Sequence, residues 1–225
     1  MMWLLWSCGQ SEIPQTERCD AELSSAPLRR LTDEELFNVV EDLTGIQPPV
    51  ELLPKTKDNA TPPTWAINNT LSNAELENLL LLGGDVVIQM QWNQQLPCSV
   101  EQLTEHCVET YLRELGARAY RRPLQEQEVQ ILLTPMHSGA PLEEALSLGV
   151  QIILQSPQML YDDYSSPVHS LSLLIRQRLA SEDLMEVNAP EKIAEMLLES
   201  PEIVTLVTDF HHNWLDLYQL NHITK

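Results

Sequence analysis

One helix-start device occurs twice in this chain, and it commits the chain to helices before any other pattern is weighed. Thr32 is followed three residues later by Glu35, and Ser72 likewise by Glu75. At that spacing the hydroxyl accepts from the third amide of the helix while the carboxylate reaches back to the capping amide. Leu31 and Leu36 bracket the first box, and Leu71 and Leu76 the second, at the spacing of a hydrophobic staple. Behind the first box Leu36, Val39, Val40 and Leu43 share one face, and Gly45 supplies a left-handed stop.

The helical period continues along the chain. Residues 46–70 are the interruption, a long surface loop holding five of the fifteen prolines, with Trp65 expected to pin it to the core. After Ser72 the leucine run meets Gly83-Gly84, which predicts a break or a tight packing point. Val86-Val87-Ile88 is the best strand candidate in the chain, yet the helical pattern carries on to Met90. Further helices are expected over 100–119, 126–133, from Leu142 to about Ile153, and over 171–179 and 190–198. Gly149 inside a helix is expected to mark a close helix crossing. Ser200 as cap and Pro201 at the first position predict a last helix with Ile203, Leu206, Val207, Phe210, Trp214 and Leu217 buried. The expected class is all-α, a multi-helix orthogonal bundle with long proline-rich surface loops. Residues 28–120 and 121–225 are expected to pack as one globular unit.

Charge and the N-terminus address partners and place. Thirty-three acidic residues against thirteen basic ones give a formal charge of −20, a surface that repels phosphate backbones and anionic headgroups. Nucleic acid is therefore an unfavourable partner, and no run of apolar residues is long enough to span a bilayer as a helix. Met1 to Trp6 is apolar, the small Ser7 and then Cys8 follow, and Gln10-Ser11-Glu12 is polar at once. Leu5-Trp6-Ser7-Cys8 resembles a lipobox, although no Lys or Arg precedes it and the apolar stretch is short. Residues 1–8 are read as a partial lipid-attachment signal with Cys8 as acceptor, against a merely greasy N-terminus. Residues 9–27 then form a flexible tether, and contact with a membrane is expected only through Cys8. Cys98 and Cys107, nine apart, bridge if the chain folds back between them, or else stand as two buried thiols. No Cys-x-x-Cys occurs, which removes a zinc ribbon and covalent haem attachment.

Four segments in order carry a resemblance. Leu28-Arg29-Arg30-Leu31-Thr32 with Glu35, Arg118-Ala119-Tyr120-Arg121-Arg122-Pro123-Leu124, Ile153-Leu154-Gln155-Ser156-Pro157 through Tyr161, and Phe210-His211-His212-Asn213-Trp214-Leu215-Asp216-Leu217 resemble the LRRLT-x-x-E, RA[FY]RRPL, ILxSPxFLY and FxxxWLxL modules of one group. That group is the planctomycete-type, cytochrome-associated secreted proteins of unknown function, seen also as lipoproteins in predatory and social bacteria. Gln125 stands where the group has a capping Thr, which implies a weaker helix start. Ala180-Ser181-Glu182-Asp183 replaces an aromatic stretch, and two later modules of the group are not seen in this sequence. The resemblance implies envelope electron transfer or polymer breakdown only by association with haem-binding domains, and this sequence carries no such motif.

Candidate chemistry is sparse. Asp209, His212 and Asp216 fall on one helix face and offer nitrogen and oxygen to a metal, with His222 as a further ligand. A solvated polar helix face is the preferred reading, because a specific site needs a second element to close the ligand shell. Arg29, Arg30, Arg118, Arg121 and Arg122 are read as partners of carboxylates at helix ends rather than as an anion-binding patch. Haem held by a His with Met136 or Met159 yields to methionine as core filler. No Ser-His-Asp signature, phosphate loop or His-Glu-x-x-His occurs. Neither catalytic residues nor a cofactor are assigned. The expected function is a non-enzymatic, envelope-anchored module that docks an unknown envelope protein. The competing expectation is a subunit or remnant of an envelope redox or polymer-degrading enzyme.

Overall fold

The computed structural model describes residues 28–55, 70–187 and 189–215, and the chain over them is an all-α bundle. Both capping boxes form. Thr32 Oγ1 accepts from the Glu35 amide at 3.0 Å while Glu35 Oε2 accepts from the Thr32 amide at 2.8 Å, starting α1 (Asp33–Thr44). Leu31 and Leu36 are both buried, and Gly45 ends the helix at φ +72° with its N–H on Glu41 O. Ser72 and Glu75 repeat the device for α2 (Asn73–Gln89). At the second staple position Leu76 remains 47% exposed.

Gly83-Gly84 is not a break. The helix α2 runs through both residues, and a Cβ on Gly83 would stand 2.7 Å from Gln155 Nε2. It therefore marks tight packing of α2 on α6 (Leu142–Gln155). Val86 to Ile88 is helical. The short helix α3 (Trp92–Gln95) and a 3-10 turn at Val100–Gln102 precede α4 (Glu105–Ala119), which starts five residues later than its periodicity implies. The reason is Thr104, whose hydroxyl accepts from the Cys107 amide and caps the helix there.

Beyond Pro123, α5 (Glu126–His137) outlasts its expected end at Leu133 and carries Pro135 in its last turn. A proline so near a helix end costs one ladder bond, and Ser138, Gly139 and Ala140 amides close the terminus on Thr134, Met136 and Pro135 carbonyls. The helix α6 crosses α4 at Gly149, where a Cβ would lie 2.5 Å from Leu112 Cδ1. Leu112 is fully buried and has nowhere to go. Gly149→Ala is therefore expected to destabilise by about 1–2 kcal/mol, overpacking outweighing the better helix propensity. Gly84, with nothing within 4 Å of a Cβ, is expected to gain about 0.5–1 kcal/mol on the same change. Urea midpoints of the two variants measure this difference in sign.

One turn of helix, α7 (Pro157–Leu160), leads into the strand β2 (Tyr161–Asp162), which pairs antiparallel with the strand β1 (Arg29–Arg30). Two-residue strands leave no alternation to read. The helix α8 (Pro167–Arg176) begins and ends earlier than its apolar period implies, because Pro167 occupies its first turn and Gln177 at φ +56° stops it. The short α9 (Glu182–Met185), α10 (Pro190–Leu198) and α11 (Ile203–Trp214) follow. The main core runs from Leu31 to Leu179, and a satellite core gathers Ile175, Leu184, Ile193 and Leu197.

The last helix departs from expectation on two counts. It starts at Ile203, and Ser200 Oγ accepts from no helix amide, so Ser200 does not cap it. Its apolar stripe is turned outward: Ile203 and Leu206 pack on the satellite core, but Val207, Phe210 and Trp214 are exposed. Leu217 and Trp65 lie outside the described residues.

Candidate functional site

Five arginines were expected to share one role, that of partners to carboxylates at helix ends. Arg121 closes α4 at φ +58°, a left-handed backbone that throws its side chain back under α7. The residue is only 5% exposed. Nη1 donates to Ala119 O at 3.1 Å and Met159 O at 3.2 Å, and Nη2 to Gln158 O at 2.8 Å and Tyr161 O at 2.5 Å. A one-turn helix leaves its last carbonyls without internal partners, and a planar fork of five donors satisfies several at once. Burial lowers the Arg121 pKa, partly countered by Asp162 and Asp163. Its ligands are carbonyls, so the expected carboxylate pairing is corrected here. The same correction applies to Arg118, which is exposed and donates to Asp42 O at 2.9 Å.

The other three arginines meet carboxylates. Arg29 Nη1 donates to both oxygens of Glu35 at 2.7 and 2.9 Å, and its Nη2 lies 3.7 Å from Asp162 Oδ2. Arg30 Nη2 donates to Lys55 O, with Nη1 3.9 Å from Glu75. Arg122 grips Glu128 with both Nη atoms and stands 5.9 Å over the Tyr120 ring. Glu128 in turn accepts from the Gln125 amide at 2.7 Å. The helix start that Gln125 was expected to weaken is thus supported from its third residue. Arg178, missed by the sequence reading, grips Glu41 and Asp42 of α1 with its two Nη atoms. No local pattern announces a pair so far apart in the chain.

Beside this network His169 is buried, and its Nδ1 accepts from the Ala180 amide at 3.2 Å. Burial, reinforced by the Arg121 charge, pushes its pKa down to about 4. Arg29, Glu35, Arg121, Asp162 and His169 are all closed off from solvent, so this cluster locks β1, β2 and α7 together and offers no open site. A shallow cavity of about 180 Å³ lies next to it, walled by Tyr120, Pro157, Tyr161 and Arg122. A second, of about 360 Å³, sits over Gly45, Gln95 and Tyr111. There Tyr111 Oη donates to Gln95 Oε1 at 2.9 Å, and burial pushes the Tyr111 pKa up to about 12, so it moves no proton at neutral pH.

The expected metal face of Asp209, His212 and Asp216 lies largely outside the described residues. Among the described residues no group of three His, Cys, Asp or Glu is placed to hold an ion. Asp216, His222 and the side chain of Asp209 lie outside what the structure describes, and His212 is half-buried with an interaction of its own. Cys98 and Cys107 are joined, their Cα atoms 6.3 Å apart. Cys8 and the tether lie outside the described residues. No helix among the described residues is long and apolar enough to cross a membrane.

What remains is the outer face of α11. Phe210 is 59% and Trp214 71% exposed, their rings stacked with centroids 6.1 Å apart, and Val204 and Val207 continue the stripe. The periodicity of this stripe was visible in the sequence; that nothing in the described chain covers it was not.

Residues 107–162, from the first turn of α4 to the end of β2, match the sequence model of the family described as PSD5, protein of unknown function (DUF1595). The match takes in Arg118, Arg121, Arg122 and the α7 segment whose carbonyls Arg121 holds. No curated protein and no solved structure matches the chain. The arginine clamp between α4 and α7 thus lies within the part of this chain that is similar to a described family, and that family's function is unknown.

Proposed function

We propose that this chain is a non-enzymatic module of the bacterial cell envelope that docks a partner protein through the outer face of α11. The observation that carries the reading is the exposed Val204, Val207, Phe210 and Trp214 stripe. Isolated exposed apolar side chains are ordinary, but a contiguous aromatic-centred patch on one helix marks an interaction surface. The Cys98–Cys107 disulfide supports an oxidising compartment, and Cys8 is the proposed lipid anchor.

A photo-cross-linking amino acid at position 214, in the full chain in its native cells, tests the reading. One dominant adduct is expected, lost on Val207→Asp and not formed from exposed Gln130. A chain that gives no adduct overturns docking through this face. Stoichiometric iron or zinc in the purified protein, released by His212→Ala, overturns the non-enzymatic reading in favour of an envelope enzyme subunit.

A further inference from the structure

The outer face of α2 carries an apolar stripe of its own, with a glycine at its centre. Leu76, Leu80, Gly84 and Ile88 follow one another at intervals of four, with Leu81 beside them, so all five fall on one side of the helix. The other side, formed by Leu79, Leu82, Gly83, Val86 and Val87, is buried on the bundle. The large side chains of the outer stripe are all exposed, Ile88 by 85%. Scattered apolar residues on a surface are ordinary, but these lie together on one helix.

Gly84 gives that patch a shape. Glycine inside a helix costs stability relative to alanine and is kept where a backbone must be approached closely. Its neighbour Gly83 meets Gln155 within the fold. Gly84 has no such neighbour, since among the described residues nothing comes within 4 Å of the place its Cβ would take. On the helix surface Leu80 and Leu81 stand one turn before it and Ile88 one turn after. The bare backbone between them is the kind of hole in which a facing helix seats a side chain.

Charge decides what faces it. The helix α2 has Glu75, Glu77 and Asp85 and neither Lys nor Arg. Glu75 is engaged at the cap. Glu77 is exposed within the stripe, and Asp85, which accepts from Gln89, stands at its edge. A second copy would set the same carboxylates, on another chain of charge −20, against these. An anionic lipid surface meets the same repulsion. A helix with Lys or Arg beside its apolar face meets both carboxylates with opposite charge.

We propose that the outer face of α2 docks a basic amphipathic helix of a partner protein. One apolar side chain of that helix seats on Gly84 between Leu80, Leu81 and Ile88, and its Lys or Arg residues face Glu77 and Asp85. This surface is separate from the α11 face, and either can hold without the other.

Fluorescence anisotropy of the full chain with two labelled helical peptides, each about 18 residues long, tests the assignment. Both carry the same leucine–alanine face, one with lysine flanks and the other with glutamate flanks. The lysine helix is expected to bind with a dissociation constant on the order of 10 μM, and the glutamate helix at least about tenfold more weakly. Gly84→Leu fills the hole and is expected to weaken binding at least about tenfold. Its urea midpoint is expected to be no lower than the parent's, since the position is open in the fold. Glu77→Lys combined with Asp85→Lys is expected to reverse the preference between the peptides, which bulk attraction to an acidic chain does not do. Val207→Asp, on α11, is expected to leave peptide binding unchanged. Equal binding of both peptides, unchanged binding in Gly84→Leu, or loss of binding in Val207→Asp overturns the assignment. A dimer of the full chain that Gly84→Leu dissociates also overturns it, by making the occupant a second copy. A urea midpoint lowered by Ile88→Lys overturns it as well, by making the occupant a segment of this chain.

Discussion

Arg121→Met is expected to lower the unfolding free energy by about 4 kcal/mol, the largest effect of any single change outside the hydrophobic core. Four carbonyls, on Ala119, Gln158, Met159 and Tyr161, lose a charged donor, and hydrogen bonds to charged groups contribute about 1.5–3 kcal/mol each before the cost of desolvating the arginine is returned. The left-handed backbone at 121 is shared by both residues, so its strain cancels in the comparison. Arg121→Lys is expected to recover little, because an ammonium on a flexible stem does not span carbonyls that a planar fork bridges. Arg118→Ala is the control: its exposed guanidinium reaches a single carbonyl of α1 and is expected to contribute under about 1 kcal/mol. Urea unfolding of the three variants measures all of this. A loss below 1 kcal/mol in Arg121→Met would show that the α7 carbonyls find water instead.

The second large effect depends on pH. His169 has a folded-state pKa of about 4 against an ordinary value of 6.5. Below 6.5 the unfolded chain takes up a proton that the folded chain refuses until pH approaches 4. The unfolded state therefore binds more protons across that window, and stability falls as pH falls. Each unit of difference is worth 1.36 kcal/mol, so this one group removes about 3 kcal/mol on going from neutral pH to well below pH 4. Protonation also destroys the Nδ1 acceptor that holds the Ala180 amide. His169→Gln keeps an acceptor without the titration. Its stability at neutral pH is expected to be lower than that of the parent chain, and its decline between pH 6.5 and 4 shallower by about that amount. Denaturation midpoints at pH 7, 5.5 and 4 decide it. Parallel curves for parent and variant would assign the acid sensitivity to the carboxylates instead.

Legibility followed the range of each interaction. Thr32 with Glu35, Ser72 with Glu75, the Gly45 stop and the span of α10 rest on neighbours within a turn, and each is visible as a spacing. The crossing at Gly149 was legible as well, since a glycine inside a strong helical period needs a packing reason, although Leu112 as the neighbour was not. Boundaries shifted wherever a single cap overrode the period, as Thr104 did for α4 and Pro167 for α8. The Arg29–Arg30 strand was beyond reach, because two residues carry no alternation and their partner lies in β2, far along the chain.

The sequence by itself determined the all-α class, the starts of the two helices that open on capping boxes and the acidity of the whole. Those follow from local hydrogen bonds and from composition, neither of which needs a distant partner. Only the tertiary structure decided what each arginine holds, because a guanidinium can donate to a carboxylate or to a bare carbonyl and the fold chooses which is near. It likewise decided the fate of the last helix. An apolar stripe states that one face avoids water when it can, but whether anything covers that face depends on what packs there, and among the described residues nothing covers Phe210 and Trp214.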